Sequence, residues 1–473
     1  MVFSSHIFLF YFLPLALLLY YASPRSLKHL TLTVMSYIFY GWWNPWFTLL
    51  MLGSTAIDYA CGKIITAEGA GSKQRKTGLW ISVIANLSVL AFFKYSIFFA
   101  ENVSSVLRFA GQGDLELPQF LYSVVLPVGI SFYTFQSMSY SIDLFRGHAK
   151  PARNFIDFAC YVSMFPQLVA GPIVRYGSVA DQLHSREHTA SGFVEGLTRF
   201  NFGFAKKIIL ANPVGTIADS CFAAGEGALN PLTAWIGVIA YAFQIYFDFS
   251  AYSDMAIGLG RMFGFRFPEN FNAPYRSRSI TDFWRRWHIS LSSFLRDYLY
   301  IPLGGNRISR YRTAANLMVV MLIGGLWHGA QWTFIIWGAI HGIMLAFERR
   351  MGRDSWYAKM PKPVQVALTF GIILITWVFF RAENLDVAIR YLSSMFGFAR
   401  TAEVSELLQA SLLKPANLLF LTLCAMATWL IPGTKQLLRR ITPVKVAFSF
   451  LLLFIAVRMM FLQGFNPFLY FQF

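Results

Sequence analysis

The sequence predicts an all-α fold: a polytopic integral membrane protein with about 11 transmembrane helices and additional re-entrant or interfacial helices. Three observations predict it. Hydrophobic residues make up 56% of the 473 and charged residues only 13%, against roughly 25% charged in an ordinary soluble domain. Mean hydropathy is +0.50. The charge deficit is concentrated in long runs without any charge, at the length that crosses a bilayer. This composition excludes a soluble globular enzyme, a disordered chain and a secreted disulfide scaffold. Lys and Arg total 40 against 23 acids, a net charge of +17. In a membrane protein that excess belongs to cytoplasmic loops beside anionic lipid, so lipid is an expected partner and nucleic acid is not.

The first charged side chain is Arg25. A cleaved signal peptide carries positive charge ahead of its apolar core, so Ile7–Tyr21 is expected as a retained first span. Leu30–Ile57 is free of charge, and Trp42-Trp43-Asn44-Pro45-Trp46 in its middle predicts an interfacial turn between two helices. At about 20 apolar residues per span, further candidates are Thr77–Phe93, Pro118–Ile142, Phe158–Val174, Phe193–Ala211 and Pro231–Phe247. Thr313–Ala330, Trp332–Phe347, Val364–Phe380, Pro415–Ile431 and Val446–Val457 complete the series. The basic loops Arg25–His29, Lys63–Lys76, Arg146–Arg153, Arg349–Lys362 and Lys435–Lys445 are expected in the cytoplasm. The loops Glu101–Glu116, with its three acids, and Arg381–Lys414 are expected outside. Residues 1–473 thus read as a single membrane domain. Within it, 261–312 is a basic, aromatic-rich cytoplasmic segment with interfacial helices, holding ten arginines against Glu269, Asp282 and Asp297. An odd number of apolar segments between Arg153 and Arg261 requires one re-entrant piece, and Gly171-Pro172 marks Phe158–Val174 for it. Cys61, Cys160, Cys221 and Cys424 are far apart in sequence and read as packing residues.

The chemistry is expected in 313–347. These 35 residues carry no formal charge yet contain His328 and His341, and an ionisable side chain inside an apolar membrane segment is a functional-site hypothesis by default. Burial leaves an imidazole neutral, and a neutral imidazole beside a hydroxyl can take its proton during acyl transfer. Glycines on both sides of His328 permit close backbone approach and favour function there, whereas His341 is equally well read as packing glue between helices. Thirteen residues apart, the two would face about 220° away from each other on one helix, so a shared site requires a break near Gly329–Gln331. Asp248 and Asp254 in Tyr246–Asp254 are read as structural ion pairs with Arg261 and Arg266, with a transporter relay as the competing reading. Arg285, Arg286 and Arg296 lie among aromatics and could hold an anion such as the phosphates of coenzyme A; anionic headgroups would suit them equally. His184-Ser185-Arg186-Glu187-His188 matches a metalloprotease pattern, but lies in a charged stretch with no third ligand, and no metal site is expected.

At these motifs the chain resembles the membrane-bound O-acyltransferase family, in its branch of exopolysaccharide acetylation subunits. The matching stretches are Met1–Ser5, Leu126–Tyr133, Phe165–Pro172, Tyr246–Gly260, Ser279–Arg307 and Gly324–Gly342, with Asp282-Phe-Trp-Arg-Arg-Trp-His288-Ile-Ser-Leu-Ser292 the most specific. The resemblance implies a multi-helix fold around a central funnel or tunnel and a catalytic histidine at His328. It implies a second site residue at His288, a position held by His, Asn or Asp in the family, and leaves His341 a tunnel-lining or structural role. It further implies acetyl-CoA as a cytoplasmic donor with no permanently bound cofactor, and location in the bacterial inner membrane. Its partners would be periplasmic SGNH-hydrolase-like acetyltransferase subunits. Alginate is the first expected acceptor and cellulose the next; a cell-wall polymer, peptidoglycan or teichoic acid, is the alternative within the fold.

Overall fold

The computed structural model describes residues 1–112, 118–122, 124–169, 171–352, 356–402 and 404–464. Asp114 and Glu116 of the acidic loop, Ala170 of the Phe165–Pro172 motif, and Arg353 and Asp354 of the 349–362 loop lie outside the described residues. Every regular element among the described residues is helical. The chain forms two compact units, one of residues 1–197 with 256–268 and the other of 198–255 with 269–473.

In the first unit, helix Ser72–Phe109 packs against Trp46–Thr66 and Ile130–Phe145. The chain turns between Gly41 and Trp46 as the tryptophan cluster predicts, and Trp42, Trp43 and Trp46 are exposed, as interfacial anchors would be. Segment 158–174 does not form one span. Helix Phe155–Ser163 has 9 residues, a single turn follows at Phe165–Leu168, and residues 171–175 before the next helix at Tyr176 are not helical. Irregular backbone at membrane depth is tolerated where protein covers it. Here Tyr161 Oη donates toward Gln136 O and Val174 O, at 3.0 and 2.9 Å.

Among the described residues, four helices are long and apolar enough to cross a bilayer by length and composition alone: Ser72–Phe109, Pro231–Met262, Lys362–Arg381 and Pro443–Leu462. The pair Val404–Leu412 and Pro415–Trp429, bent by 59°, makes a further broken candidate. Only 17% of the apolar stretch in Ser72–Phe109 and in Pro443–Leu462 is buried, against 78% in Pro231–Met262. Side chains such as Trp80, Ile84, Val444 and Phe454 point outward, where water would penalise them and lipid tails would not.

The second unit is organised on the buried part of Pro231–Met262. Its two carboxylates are paired, but with partners other than those expected. Asp254 meets Arg199 at 2.8 Å and Lys206 at 2.5 Å, and Asp248 meets Lys207 at 2.7 Å. A π-turn at Lys206–Ala211 carries both lysines. Arg261 instead pairs with Glu195, while Arg266 donates its backbone N–H to Gln182. The sequence error was one of proximity: arginines near in sequence lie beyond the buried stretch of the helix, whereas lysines some forty residues upstream face it.

Helices Arg310–His328 and Trp332–Met351 form an antiparallel hairpin closed by Gly329–Gln331, which is the break the two histidines required. Glycines let its backbones touch. A Cβ on Gly325 would sit 2.3 Å from Phe334 O, and one on Gly338 would sit 2.4 Å from Met321 O. Close approach of this kind holds helices together where no hydrophobic effect operates between them. Gly338→Leu is therefore expected to force the hairpin apart and lower stability by about 1–3 kcal/mol, read as a lower melting temperature in detergent and loss of folded protein on size exclusion.

Arg278, Arg285, Arg296 and Arg307 of segment 261–312 are exposed, while Phe283, Trp287, His288 and Leu291 between them are buried in the second unit. Glu348, near the end of Trp332–Met351, accepts the backbone N–H groups of Ile280 and Thr281 at 2.7 and 2.8 Å. Helix Ile280–Arg286 then climbs beside His341, the chain reverses at His288 next to His328, and Ile289–Leu295 descends along Arg310–His328. On the return, Asn316 donates to Leu303 O and Gly305 O. Aromatic side chains and satisfied backbone groups make that burial possible, a pattern that charge counting alone reads as surface.

Candidate active site

Two imidazoles meet where the short helices Ile280–Arg286 and Ile289–Leu295 join. His328 is the last residue of its helix, roughly 27 Å along the axis from Arg310 at 1.5 Å per residue. His288 is the residue between the two short helices. Their ring centroids are 6.4 Å apart, and the side chains are 4% and 0% exposed. Aromatic rings enclose them. His328 stands edge-on to Trp327 at 4.9 Å, Trp337 at 5.4 Å and Phe380 at 5.0 Å. His288 stands against Phe249 at 4.6 Å and Trp327 at 5.8 Å. Such walls exclude water, and electrostatic interactions inside them are stronger than in solution.

The backbone at His288 is left-handed, with φ 43° and ψ 54°. Few residues other than glycine adopt this conformation, and Asn, Asp and His are enriched among them. The turn is fixed from outside. Asn270 O accepts the Ile289 N–H, Asn270 Oδ1 accepts the N–H and hydroxyl of Ser290, and Asn270 Nδ2 donates to Ser253 on the central helix. His288 caps the following helix, its Nδ1 accepting the Leu291 N–H at 3.4 Å. Since a backbone N–H can only donate, Nδ1 carries no proton and the hydrogen of the neutral ring is on Nε2. Burial pushes this imidazole down to about 3, against 6.5 in the open. His288 Nε2 is buried without a hydrogen-bond partner among the described residues, and is thus a donor available to a ligand.

His341 is accounted for within the protein. Its Nδ1 accepts the Trp284 indole N–H and its Nε2 bonds Thr376 Oγ1, both at 3.2 Å. Thr376 gives its own proton to Ile373 O, so it accepts from His341. Of the two roles left to His341, the geometry is that of a structural residue. Arg285 is exposed, Arg286 pairs with Asp282 at 2.8 Å, and Arg296 pairs with Asp297 at 2.7 Å. None of the three is brought to the imidazoles. Asp248 and Asp254 are neutralised by their cations, which gives a relay reading no support. In the first unit, His188 bonds Tyr20 Oη at 2.9 Å, and Arg186, between His184 and His188, bonds Tyr20 and His29. Among the described residues no group of three or more His, Cys, Asp or Glu is placed to hold a metal.

Two contributors escaped the sequence reading. Asn270 holds the reversal at His288, and Trp337 forms one wall at His328. Asn270 had no signal of its own, lying in a loop 18 residues before the histidine it positions. Trp337 had one: it lies one turn before His341 in an uncharged segment.

The profile of the MBOAT, membrane-bound O-acyltransferase family, matches residues 72–382, a stretch that contains both histidines. A protein of Pseudomonas putida named probable alginate O-acetylase is 47% identical over the full length of both chains. Its namesake in Pseudomonas aeruginosa is 50% identical over 87% of this chain and 78% of its own. A peptidoglycan O-acetyltransferase of Helicobacter pylori is 37% identical over 84% of this chain and 80% of its own.

Proposed function

Because the chain belongs to the membrane-bound O-acyltransferase family and is an integral membrane O-acyltransferase, we propose that it carries acetyl groups from cytoplasmic acetyl-CoA across the bacterial inner membrane. The acceptor is an exopolysaccharide, alginate before cellulose, reached through periplasmic SGNH-hydrolase-like subunits. The 47–50% identity to alginate O-acetylases, against 37% to the peptidoglycan enzyme, favours the exopolysaccharide over a cell-wall polymer. In this reading the shorter and more polar helices also cross the membrane, bringing the count to about eleven.

One observation carries the reading: two buried imidazoles stand together at the end of the histidine hairpin opposite its basic termini, Arg310–Arg312 and Arg349–Arg350. With basic loops inside, a donor arrives on the side of those termini and its acetyl group is delivered near the far side. His328 takes the proton from an acceptor hydroxyl as that oxygen attacks the thioester carbonyl carbon. His288 Nε2–H donates to the carbonyl oxygen as it gains negative charge. The carbon–sulfur bond breaks, and the proton held by His328 returns to the departing thiolate. Arg285 and Arg296, exposed, and Arg286, half-buried, offer positive charge to the phosphates of the donor.

The test uses purified full-length protein with labelled acetyl-CoA and, in parallel, acetyl-ester analysis of polymer from a deletion strain. Complementation should restore the esters, and the protein should release free thiol from acetyl-CoA. Arg285→Ala with Arg286→Ala should raise the half-saturating donor concentration about tenfold, the equivalent of one charge-assisted hydrogen bond, with maximal rate kept within about twofold. Esters restored in cells by a protein that leaves acetyl-CoA untouched would overturn the donor assignment.

A further inference from the structure

The Trp337 indole is an unexplained group beside His328. It is fully buried, and its Nε1–H has no hydrogen-bond partner among the described residues. Other tryptophans of the same unit are satisfied. Trp284 donates to His341, Trp377 to Tyr275 Oη, Trp235 to Met395 O and Trp429 to Tyr275 O. A phenylalanine would supply an aromatic wall at position 337 without burying an orphan donor, and buried polar groups in native proteins normally have partners. The ring is held on all sides: edge-on to His328 at 5.4 Å and to Phe380 at 5.1 Å, parallel to Trp377 at 6.1 Å, and against His341 at 4.9 Å. It therefore cannot turn out to find a partner. What it lacks must come to it.

We propose that Trp337 is a third catalytic residue, its Nε1–H donating to the carbonyl oxygen of the acyl thioester positioned at His328. This rests on the acyl-transfer reading above. As the acceptor oxygen bonds to the carbonyl carbon, the carbonyl electron pair moves onto its oxygen and the donor hydrogen bond strengthens. When the carbon–sulfur bond breaks, the pair returns, the thiolate leaves, and the bond weakens again. A fixed indole in a water-excluded aromatic wall is preorganised for that change and needs no rearrangement at the moment of reaction. The ligand class is a neutral carbonyl: indole N–H is a donor only, carries no charge, and offers nothing to a cation or to a second donor.

The experiment compares full-length wild type, Trp337→Phe and His328→Ala with acetyl-CoA as donor. Trp337→Phe keeps an aromatic ring and deletes the N–H. It should lower kcat about 10²-fold, the low end for removal of one oxyanion donor, with KM for acetyl-CoA within about threefold. Its melting temperature should equal or exceed that of wild type, because an unsatisfied buried group has been removed. A purely structural tryptophan predicts the reverse, lower stability at unchanged kcat per folded molecule, and that result would overturn the proposal. Where the variant yields too little folded protein, the carbonyl stretch of ¹³C-acetyl-CoA bound to His328→Ala serves instead. It should shift to higher frequency when Trp337→Phe is added, and an identical stretch in both proteins refutes the hydrogen bond. If His328→Ala itself turns over normally, the acyl-transfer reading fails, and with it the basis of this one. If only Trp337→Phe turns over normally, the indole assignment alone is lost.

Discussion

His328→Ala is expected to lower acetyl transfer by about 10²–10⁴-fold, the span that one positioned general base contributes, and to leave membrane insertion intact. The ring lies at the end of its helix, so no helical turn beyond it is disturbed. It meets Trp327, Trp337 and Phe380 edge-on, and those rings also hold one another: Trp337 meets Phe380 at 5.1 Å and Trp377 at 6.1 Å. Loss of the imidazole therefore removes the base while the wall survives. His328→Gln, which fills more of the space with a side chain unable to accept a proton at neutral pH, separates the two effects further. It should match the alanine variant in activity and exceed it in stability. Polymer acetyl content, thiol release from acetyl-CoA and elution on size exclusion, measured together, decide the matter. Transfer within about threefold of wild type in a well-folded alanine variant would remove His328 from the chemistry and require another base.

How much of this site could be read in the sequence differs residue by residue. His328 was legible because charge is scarce in 313–347: an ionisable side chain flanked by glycines in an apolar run stands out on composition alone. The helix break at Gly329–Gln331 followed from the same residues. Asp248 and Asp254 were legible as ion-pair members but not their partners, because pairing across a bundle depends on which helices are neighbours, and sequence distance carries little of that. The inward packing of 280–295 was illegible for a related reason. Its arginines label it a cytoplasmic loop by the charge rule, and Arg278, Arg285, Arg296 and Arg307 are indeed exposed. What carries the chain inward is the packing of Phe283, Trp284 and Trp287 against Trp337, His341 and Trp377, together with the Glu348 anchor at its start. Each of those contacts exists only once the histidine hairpin has formed. Composition thus singled out 313–347 and left His288 in a separate basic, aromatic segment; only the family resemblance connected them.

The second large effect is expected at His288, where backbone and chemistry impose separate demands. The left-handed backbone admits Asn, Asp and His far better than other side chains, the same three that the family resemblance implies for this position. The same three can accept the Leu291 N–H as a helix cap. Chemistry narrows the choice, since a donor toward the carbonyl oxygen is available from neutral His and from Asn but not from an ionised Asp. His288→Asn should therefore fold and keep measurable transfer. His288→Ala, lacking both cap and donor, should lose about 10²–10³-fold in kcat and about 1 kcal/mol in stability from the cap alone. The sign of the pH effect follows from the lowered value. The unfolded ring takes a proton near 6.5 while the folded ring stays neutral until about 3, so on acidification the unfolded state gains protons first. Wild-type stability should fall as pH drops below 6.5, at up to about 1.4 kcal/mol per pH unit, and His288→Asn should lose that component. Between pH 5 and 8 the His288 donor is unchanged, so the acid limb of the rate profile should survive His288→Asn at the same midpoint. A limb that vanishes in the asparagine variant would make His288, not His328, the titrating base and reverse the two roles.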